Sequence, residues 1–130
     1  MAQTLDTQRT YALVGTGGCG KSTLAEMLLF QSKVINRLGK VEDGTAAMDY
    51  EPEEIKRNSS ISTGFHQLTW NKHTINMIDT PGDQNFFTDT RLCMQAADGA
   101  IAVVDAVDGV RFQTEQAWEF AEEFNLPCFI

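Results

Sequence analysis

The fold of this chain is decided by the stretch Gly15-Thr16-Gly17-Gly18-Cys19-Gly20-Lys21-Ser22. It carries the required residue at every fixed position of the pattern GxxxxGK[ST]. Residues 10–14 before it predict a strand, and residues 21–32 after it predict a helix, with Leu24, Met27, Leu28 and Leu29 as its apolar face. Glycines let a loop turn its N–H groups inward, and a helix N-terminus attracts anions. The stretch therefore predicts a loop that binds the phosphates of a nucleotide.

Two residues of this phosphate-binding loop have specific expected roles. Lys21 is expected to reach the β- and γ-phosphates, and the Ser22 hydroxyl to bind magnesium. The loop by itself does not distinguish ATP from GTP. The expected nucleotide-binding residues are those of the loop and the residue after it: Gly15, Thr16, Gly17, Gly18, Cys19, Gly20, Lys21, Ser22 and Thr23.

A second motif, Asp79-Thr80-Pro81-Gly82, follows a predicted strand and is called the D-T-P-G loop below. A carboxylate at a strand end can hold magnesium through water, and the Gly82 N–H can donate to a γ-phosphate. Taken alone, the motif is equally typical of a strand-ending turn. Because a phosphate-binding loop lies upstream, we expect Asp79, Pro81 and Gly82 to contact nucleotide, and Asp79 to contact the metal.

A polar segment, residues 33–62, separates the first helix from the next strand. A loop of this length inside a compact domain is uncommon and is often functional. A hydroxyl near its end could complete the magnesium shell; Ser60 is the first candidate, followed by Ser59, Ser62 and Thr63. Spacing alone favours a solvated Ser/Thr loop.

The remaining elements predict an α/β fold. Residues 63–70 and 74–79 are expected to form a hairpin, residues 84–97 and 114–124 helices, and residues 99–105 a buried strand. Such alternation predicts a mostly parallel sheet with helices on both faces and one antiparallel hairpin. Another strand begins at Pro127, and the chain ends inside it. We therefore expect residues 1–130 to be one partial domain of a longer protein.

Composition narrows the possible partners. The formal net charge is −8, which disfavours direct sequence-specific binding to nucleic acid. The three cysteines form no CxxC pair and fit a reducing cytosol, with Cys93 and Cys128 expected to be buried thiols. No apolar run approaches the length of a membrane span, and the polar N-terminus predicts no signal peptide. A cytoplasmic protein without membrane contact is expected.

Taken together, these motifs resemble translational GTPases, and in particular elongation factor G and its paralogues. The resemblance extends over residues 12–130. It includes the phosphate-binding loop, RLGKVEDGT (37–45), MDYEPEEIKR (48–57), NMIDTPG (76–82), ADGA (97–100) and VDAVDGV (104–110). It implies a truncated Ras-like GTP-binding domain that binds GTP or GDP with Mg²⁺, with residues 33–62 as switch I and 79–97 as switch II. It further implies ribosome-stimulated hydrolysis that drives or regulates a step such as translocation, and a guanine-binding Asn-Lys-x-Asp motif beyond Ile130.

The chain departs from the family pattern at three positions. Ser60 stands where the magnesium-binding Thr is usual, Gly18 where many members carry Asp, and Asp83 where a water-orienting His is usual. With Asp83 at the position of the water-orienting His, the expected catalytic residues are Lys21, Gly82 and Asp83. An Asp83 carboxylate directed at the γ-phosphate would be repelled by about 3 kcal/mol at about 5 Å and an effective dielectric near 20. An outward-facing Asp83 would remove the function of the His without this repulsion. We therefore expect slow or altered hydrolysis.

Two alternative functions remain open. The phosphate-binding loop resembles that of partitioning ATPases, but those enzymes have a Lys where this chain has Thr16. A P-loop ATPase is one alternative because of this resemblance, although without that Lys the distinctive mechanism of the partitioning ATPases is absent. The other is a GTP-sensing module with weak or no hydrolysis, which Asp83 favours.

Overall fold

The structure is a computed structural model, and it describes residues 5–39 and 63–130. Within these two ranges, five strands are assigned: β1 (Gln8–Val14), β2 (Gly64–Trp70), β3 (His73–Asp79), β4 (Gly99–Ala102) and β5 (Cys128–Phe129). The described α-helices are α1 (Lys21–Gln31), α2 (Phe87–Gln95) and α3 (Phe112–Glu123). Short 3-10 turns cover Leu5–Thr7 and Gln84–Phe86.

The strands form one sheet in the order β2-β3-β1-β4-β5. Strand β1 lies at the centre and pairs in parallel with both β3 and β4, and β4 pairs in parallel with β5. Only the β2–β3 pair is antiparallel among the described strands. The expected mostly parallel sheet with one hairpin is confirmed.

Each face of the sheet has its own core, because successive residues of a strand point to opposite sides. On one face, Leu13 of β1 and Met77 of β3 pack with Ala25 and Leu29 of α1. On the other face, the cluster includes residues of β1, β4, α2 and α3, with Met94 fully buried. The expected helices on both faces are therefore present.

The end of β4 differs from the sequence-based expectation. A strand over residues 99–105 was predicted, but β4 ends at Ala102. Its neighbour β1 ends at Val14, whose carbonyl accepts the Val103 N–H at 2.8 Å, and the chain then turns at Gly15 into the phosphate-binding loop. Without a strand to pair with, the run stops, and Asp105 Oδ1 accepts the Val107 and Asp108 amides in a turn.

Helix α2 is also shorter than predicted. Residues 84–97 were expected to be helical throughout, but a 3-10 turn precedes α2, which ends at Gln95. Asp83 caps the 3-10 turn, since its Oδ1 accepts the Asn85 N–H at 2.9 Å. The polar cap thus starts a tight turn, and α-helical geometry begins only at Phe87.

Two predictions about burial are wrong. The apolar face of α1 was assigned to residues 24 and 27–29, but Met27 and Leu28 are exposed, whereas Ala25, Glu26 and Leu29 are buried. Helical spacing identified the helix, but four adjacent apolar residues left its inward face undecided. Cys93 and Cys128 were expected to be buried, and both are only partly so; burial still raises the pKa of each thiol.

Candidate functional site

The phosphate-binding loop joins the central strand β1 to helix α1. Three of its glycines have positive φ values: 142° at Gly15, 79° at Gly18 and 100° at Gly20. Gly15 also lies where a Cβ atom would stand 2.4 Å from the Val103 carbonyl oxygen. The loop can therefore take this path only with glycine at position 15. The loop also connects the carboxyl end of β1 to the N-terminus of α1, and a helix N-terminus attracts anions.

Lys21 lies at the start of α1 and is only 6% exposed. Its Nζ donates to the carbonyls of Gly15 at 3.0 Å and Thr16 at 2.8 Å. Burial lowers the pKa of the Lys21 ammonium, while nearby Cys19 and Asp79 oppose the shift. The carbonyls that surround it and the Asp79 carboxylate favour the charged form, which suits a group that is expected to bind phosphate oxygens.

Ser22 and Asp79 are 57 residues apart in sequence, and their side chains meet. Ser22 Oγ donates to Asp79 Oδ2 at 2.6 Å. Asp79, at the end of β3, is 2% exposed. Parallel pairing of β1 and β3 places Leu13 beside Asp79, so the carboxyl ends of both strands open onto the same edge. The structure thus brings together two of the three predicted metal residues, Ser22 and Asp79, whereas Ser60 lies outside the described residues.

This hydroxyl–carboxylate pair fits magnesium by its chemistry. Mg²⁺ prefers oxygen ligands and commonly uses one or two protein groups together with waters and phosphate oxygens. Among residues 5–39 and 63–130, no group of three or more His, Cys, Asp or Glu side chains is placed to hold a metal. The Ser22 hydroxyl and the Asp79 carboxylate are the two adjacent protein oxygens that this site supplies.

The D-T-P-G loop lies directly on the phosphate-binding loop. The Gly82 carbonyl accepts the Gly17 N–H at 3.0 Å. A Cβ atom at Gly82 would stand 2.3 Å from Gly17 N and 2.6 Å from Lys21 Nζ. Only glycine permits this approach, because at least one of the close neighbours is backbone.

The Asp83 side chain forms hydrogen bonds with Asn85 in this structure. Its Oδ1 accepts hydrogen bonds from both the backbone N and the side-chain Nδ2 of Asn85, each at 2.9 Å. Of the two orientations considered for Asp83, this geometry corresponds to the one without direct repulsion of a phosphate.

Of the predicted hydroxyl candidates near the end of switch I, only Thr63 can be placed. Ser59, Ser60 and Ser62 lie outside the described residues, as does most of the 33–62 segment. Thr63 Oγ1 lies 3.7 Å from Cys93 Sγ of α2. The contact places Thr63 against α2.

Sequence reasoning missed several buried polar residues around the site. Glu26 of α1 is 2% exposed, and its Oε1 accepts the Gly39 N–H at 2.9 Å. His66 of β2 lies near it: burial lowers the pKa of His66, and the charge of Glu26 opposes the shift. Thr80 and Thr90 are each 1% exposed. A signal existed for Glu26, which is an acidic residue among the apolar residues of a helix, but none identified its partner.

A narrow crevice flanks the phosphate-binding loop on its β4 side. Its volume is about 10 Å³, enough for one water molecule. Thr16 and Gly17 line one wall, and the segment after β4, including Asp105 and Arg111, lines the other. Thr16 Oγ1 is buried and has no hydrogen-bond partner among the described residues. A water molecule would fit both the volume and the hydroxyl.

Comparison with known proteins gives consistent results. Residues 6–130 match the family described as the elongation factor Tu GTP binding domain. The chain is 35% identical over 128 residues to elongation factor G 1 of Geobacter sulfurreducens, covering 97% of this chain and 19% of that protein. It is 38% identical over 122 residues to the mitochondrial ribosome-releasing factor 2 of Candida dubliniensis, covering 94% and 15%.

Solved structures show the same relationship. A crystal structure of a Thermus thermophilus protein superposes with a TM-score of 0.88 at 41% identity, covering 92% of this chain and 18% of that one. The bacterial selenocysteine-specific elongation factor gives a TM-score of 0.71 at 28% identity, covering 91% and 18%. The chain thus spans about a fifth or less of the length of these relatives.

Within the part that the structure describes, no helix combines the length and apolar character of a membrane span.

Proposed function

Because the chain belongs to the elongation factor Tu GTP-binding domain family, we propose that it forms the phosphate- and magnesium-binding part of an elongation factor G-like GTPase. The proposed nucleotide is GTP, which is hydrolysed to GDP and phosphate. The observation that carries the proposal is the 2.6 Å contact between Ser22 Oγ and Asp79 Oδ2, beside the buried Lys21 ammonium.

The residues of the site have distinct tasks in this proposal. Lys21 exchanges its two carbonyl partners for phosphate oxygens and offsets negative charge. The Gly17 N–H, which donates to the Gly82 carbonyl, becomes a phosphate donor when the D-T-P-G loop moves away. Ser22 and Asp79 would hold the magnesium ion, which when bound neutralises charge on the phosphates. Gly82 N–H then senses the γ-phosphate.

Base specificity and the role of Lys21 are tested with the full-length protein. Unlabelled GTP is expected to displace a fluorescent GTP analogue, whereas ATP in large excess is not. Lys21→Ala should weaken binding by roughly tenfold to a hundredfold, the loss expected for one hydrogen bond to a charged group. Lys72→Ala, which removes an exposed charge in a hairpin turn, is the matched control. Equal displacement by ATP would support the ATPase alternative instead.

The ribosome is the proposed partner, in accord with the elongation factor G and ribosome-releasing factor names of the relatives. Phosphate release by the full-length protein is expected to rise when ribosomes are added. The GTP-sensing module without turnover is the second candidate, and the hydrogen bonds of Asp83 to Asn85 favour it, because they leave no water-orienting side chain at this position. GTP binding without ribosome-stimulated phosphate release would establish that alternative.

A further inference from the structure

A cationic side chain borders the crevice that flanks the phosphate-binding loop. Thr16 and Gly17 form one wall of this crevice, and Arg111 belongs to the other wall. The crevice has a volume of about 10 Å³, so its walls are about one water molecule apart. Among the described residues that line it, Arg111 is the only lysine or arginine. A guanidinium, which keeps its charge at every physiological pH, therefore lies beside the phosphate-binding loop.

The backbone of Arg111 is fixed on both sides. Before it, the Asp105 carbonyl accepts the Gly109 N–H at 2.8 Å, and Gly109 has a φ of 68°, so the chain folds back in a tight turn. After it, the Arg111 carbonyl accepts the N–H groups of Thr114 and Glu115 at 2.9 and 3.1 Å, where α3 begins. The turn and the helix thus set the place from which the Arg111 side chain extends.

The side chain of Arg111 is held much less firmly than its backbone. Its Nη2 donates to Asp108 Oδ1 at 2.9 Å. The two side chains of this ion pair are 53% and 61% exposed. An exposed ion pair stabilises a protein little, because water screens both charges and ordering two side chains costs entropy. The guanidinium can therefore exchange the carboxylate of Asp108 for another anion at small cost.

The phosphates of the proposed nucleotide are the anion closest to this position. A phosphate group carries more negative charge than a carboxylate, and its oxygens match the fork of a guanidinium. Gly17, on the opposite wall, donates its N–H to the Gly82 carbonyl at 3.0 Å. Because Gly82 is the residue proposed to sense the γ-phosphate, the Arg111 side of the loop is the side of the terminal phosphate.

We propose that Arg111 is a further phosphate-binding residue, which leaves Asp108 and binds the terminal phosphate of GTP; this rests on the function proposed above. Its charge adds to that of the buried Lys21, which belongs to α1 on the other side of the loop. In a chain with a formal net charge of −8, a second cation at the loop offsets repulsion of the phosphates. GDP lacks the terminal phosphate, so Arg111 contributes less to its binding.

The test measures the GTP and GDP affinities of the full-length protein by displacement of a fluorescent GTP analogue. Arg111→Gln removes the charge, and we expect it to weaken GTP binding roughly threefold to tenfold while GDP binding changes less than about twofold. Arg111→Lys keeps the charge without the planar fork and should recover part of the loss. Arg9→Gln makes the same change of charge at an exposed residue near the start of β1, and should leave both affinities unchanged.

The outcomes separate this inference from the proposed function. If the wild type binds GTP and rejects ATP, but Arg111→Gln binds GTP equally well, the role of Arg111 is overturned and the proposed function stands. Equal losses of GTP and GDP binding, or a similar loss in Arg9→Gln, would also overturn it. If the wild type binds neither nucleotide, both proposals fail.

Urea denaturation distinguishes a phosphate-binding role of Arg111 from a structural one. Because the Arg111 side chain is more than half exposed, the wild type and Arg111→Gln are expected to have equal unfolding midpoints. A lowered midpoint accompanied by weaker GTP binding would assign Arg111 a structural task and contradict the proposal.

Discussion

At the scale of single residues, Asp83 carries the main chemical departure from the family pattern. Its carboxylate forms a cap on the following 3-10 turn through the backbone and side chain of Asn85. The structure therefore gives Asp83 a structural task, and the repulsion of about 3 kcal/mol applies only if the side chain leaves that cap. Slow hydrolysis would then come mainly from the absence of an imidazole that can orient water.

Replacing Asp83 by His is expected to accelerate ribosome-stimulated hydrolysis by at least about tenfold, because a positioned general base or water-orienting group commonly contributes more than that. Single-turnover phosphate release by the full-length protein measures the rate. Asp83→Asn keeps an oxygen that can accept the Asn85 N–H and lacks the imidazole, so its rate should stay near that of the wild type. Equal rates for the His variant and the wild type would refute the role of Asp83.

At the scale of elements, the β2–β3 hairpin shows how backbone geometry constrains a turn. The two strands pair from Trp70↔His73 onward, so only Asn71 and Lys72 connect them. The predicted hairpin is confirmed, although its connection is one residue shorter than the three expected. Both connecting residues have positive φ, 48° at Asn71 and 66° at Lys72. This geometry matches the two-residue type I′ turn, in which glycine is preferred at the second position.

Lys72→Gly is expected to raise the free energy of unfolding by about 0.5–1 kcal/mol, because glycine adopts positive φ without steric cost. Urea denaturation of the chain measures the change. Lys72→Ala removes the same charge but retains the Cβ atom, so it separates the effect of backbone strain from that of charge. A Gly variant no more stable than the Ala variant would contradict the explanation.

The α2–α3 pair shows how α2 is attached to the neighbouring helix. Arg91 of α2 forms an ion pair with Glu123 of α3 at 2.5 Å. Its guanidinium also lies 5.1 Å from the ring centroid of Phe124, within the range of a cation–π contact. Because both side chains of the ion pair are partly exposed, its ionic contribution to stability is small.

At the scale of the whole molecule, the sheet is covered on both faces, and each helix residue contributes according to its side. Met94 and Leu92 lie two residues apart in α2, yet Met94 is fully buried and Leu92 is 56% exposed. We expect Met94→Ala to lower the free energy of unfolding by about 2–4 kcal/mol through the cavity that it leaves. The same truncation at Leu92 should cost less than about 0.5 kcal/mol.

Chemical denaturation of both variants provides the measurement. The difference between them is more informative than either value, since both substitutions are made in the same helix. Similar losses at the two positions would mean that the core on this face is not organised as described.

The local patterns of this sequence were sufficient for the two loops and the class of fold. The glycines around Lys21 and the Asp-Thr-Pro-Gly turn act through their own backbone conformations, so neighbouring residues alone specify them. Element type was also predictable, because helices and strands differ in the spacing of apolar residues. The prediction was wrong in detail in α1, where that spacing was ambiguous, and at the end of β4, where the neighbouring strand β1 ends first.

The tertiary structure decided which distant groups meet. Ser22 contacts Asp79 because β3 pairs with β1 in parallel, and Thr80 reaches Leu13 through the register of the same pair. The Glu26 carboxylate finds the Gly39 amide because α1 turns that residue inward. A sequence pattern reports the conformational preference of each segment, whereas such contacts depend on strand order and register, which arise only when the whole sheet assembles.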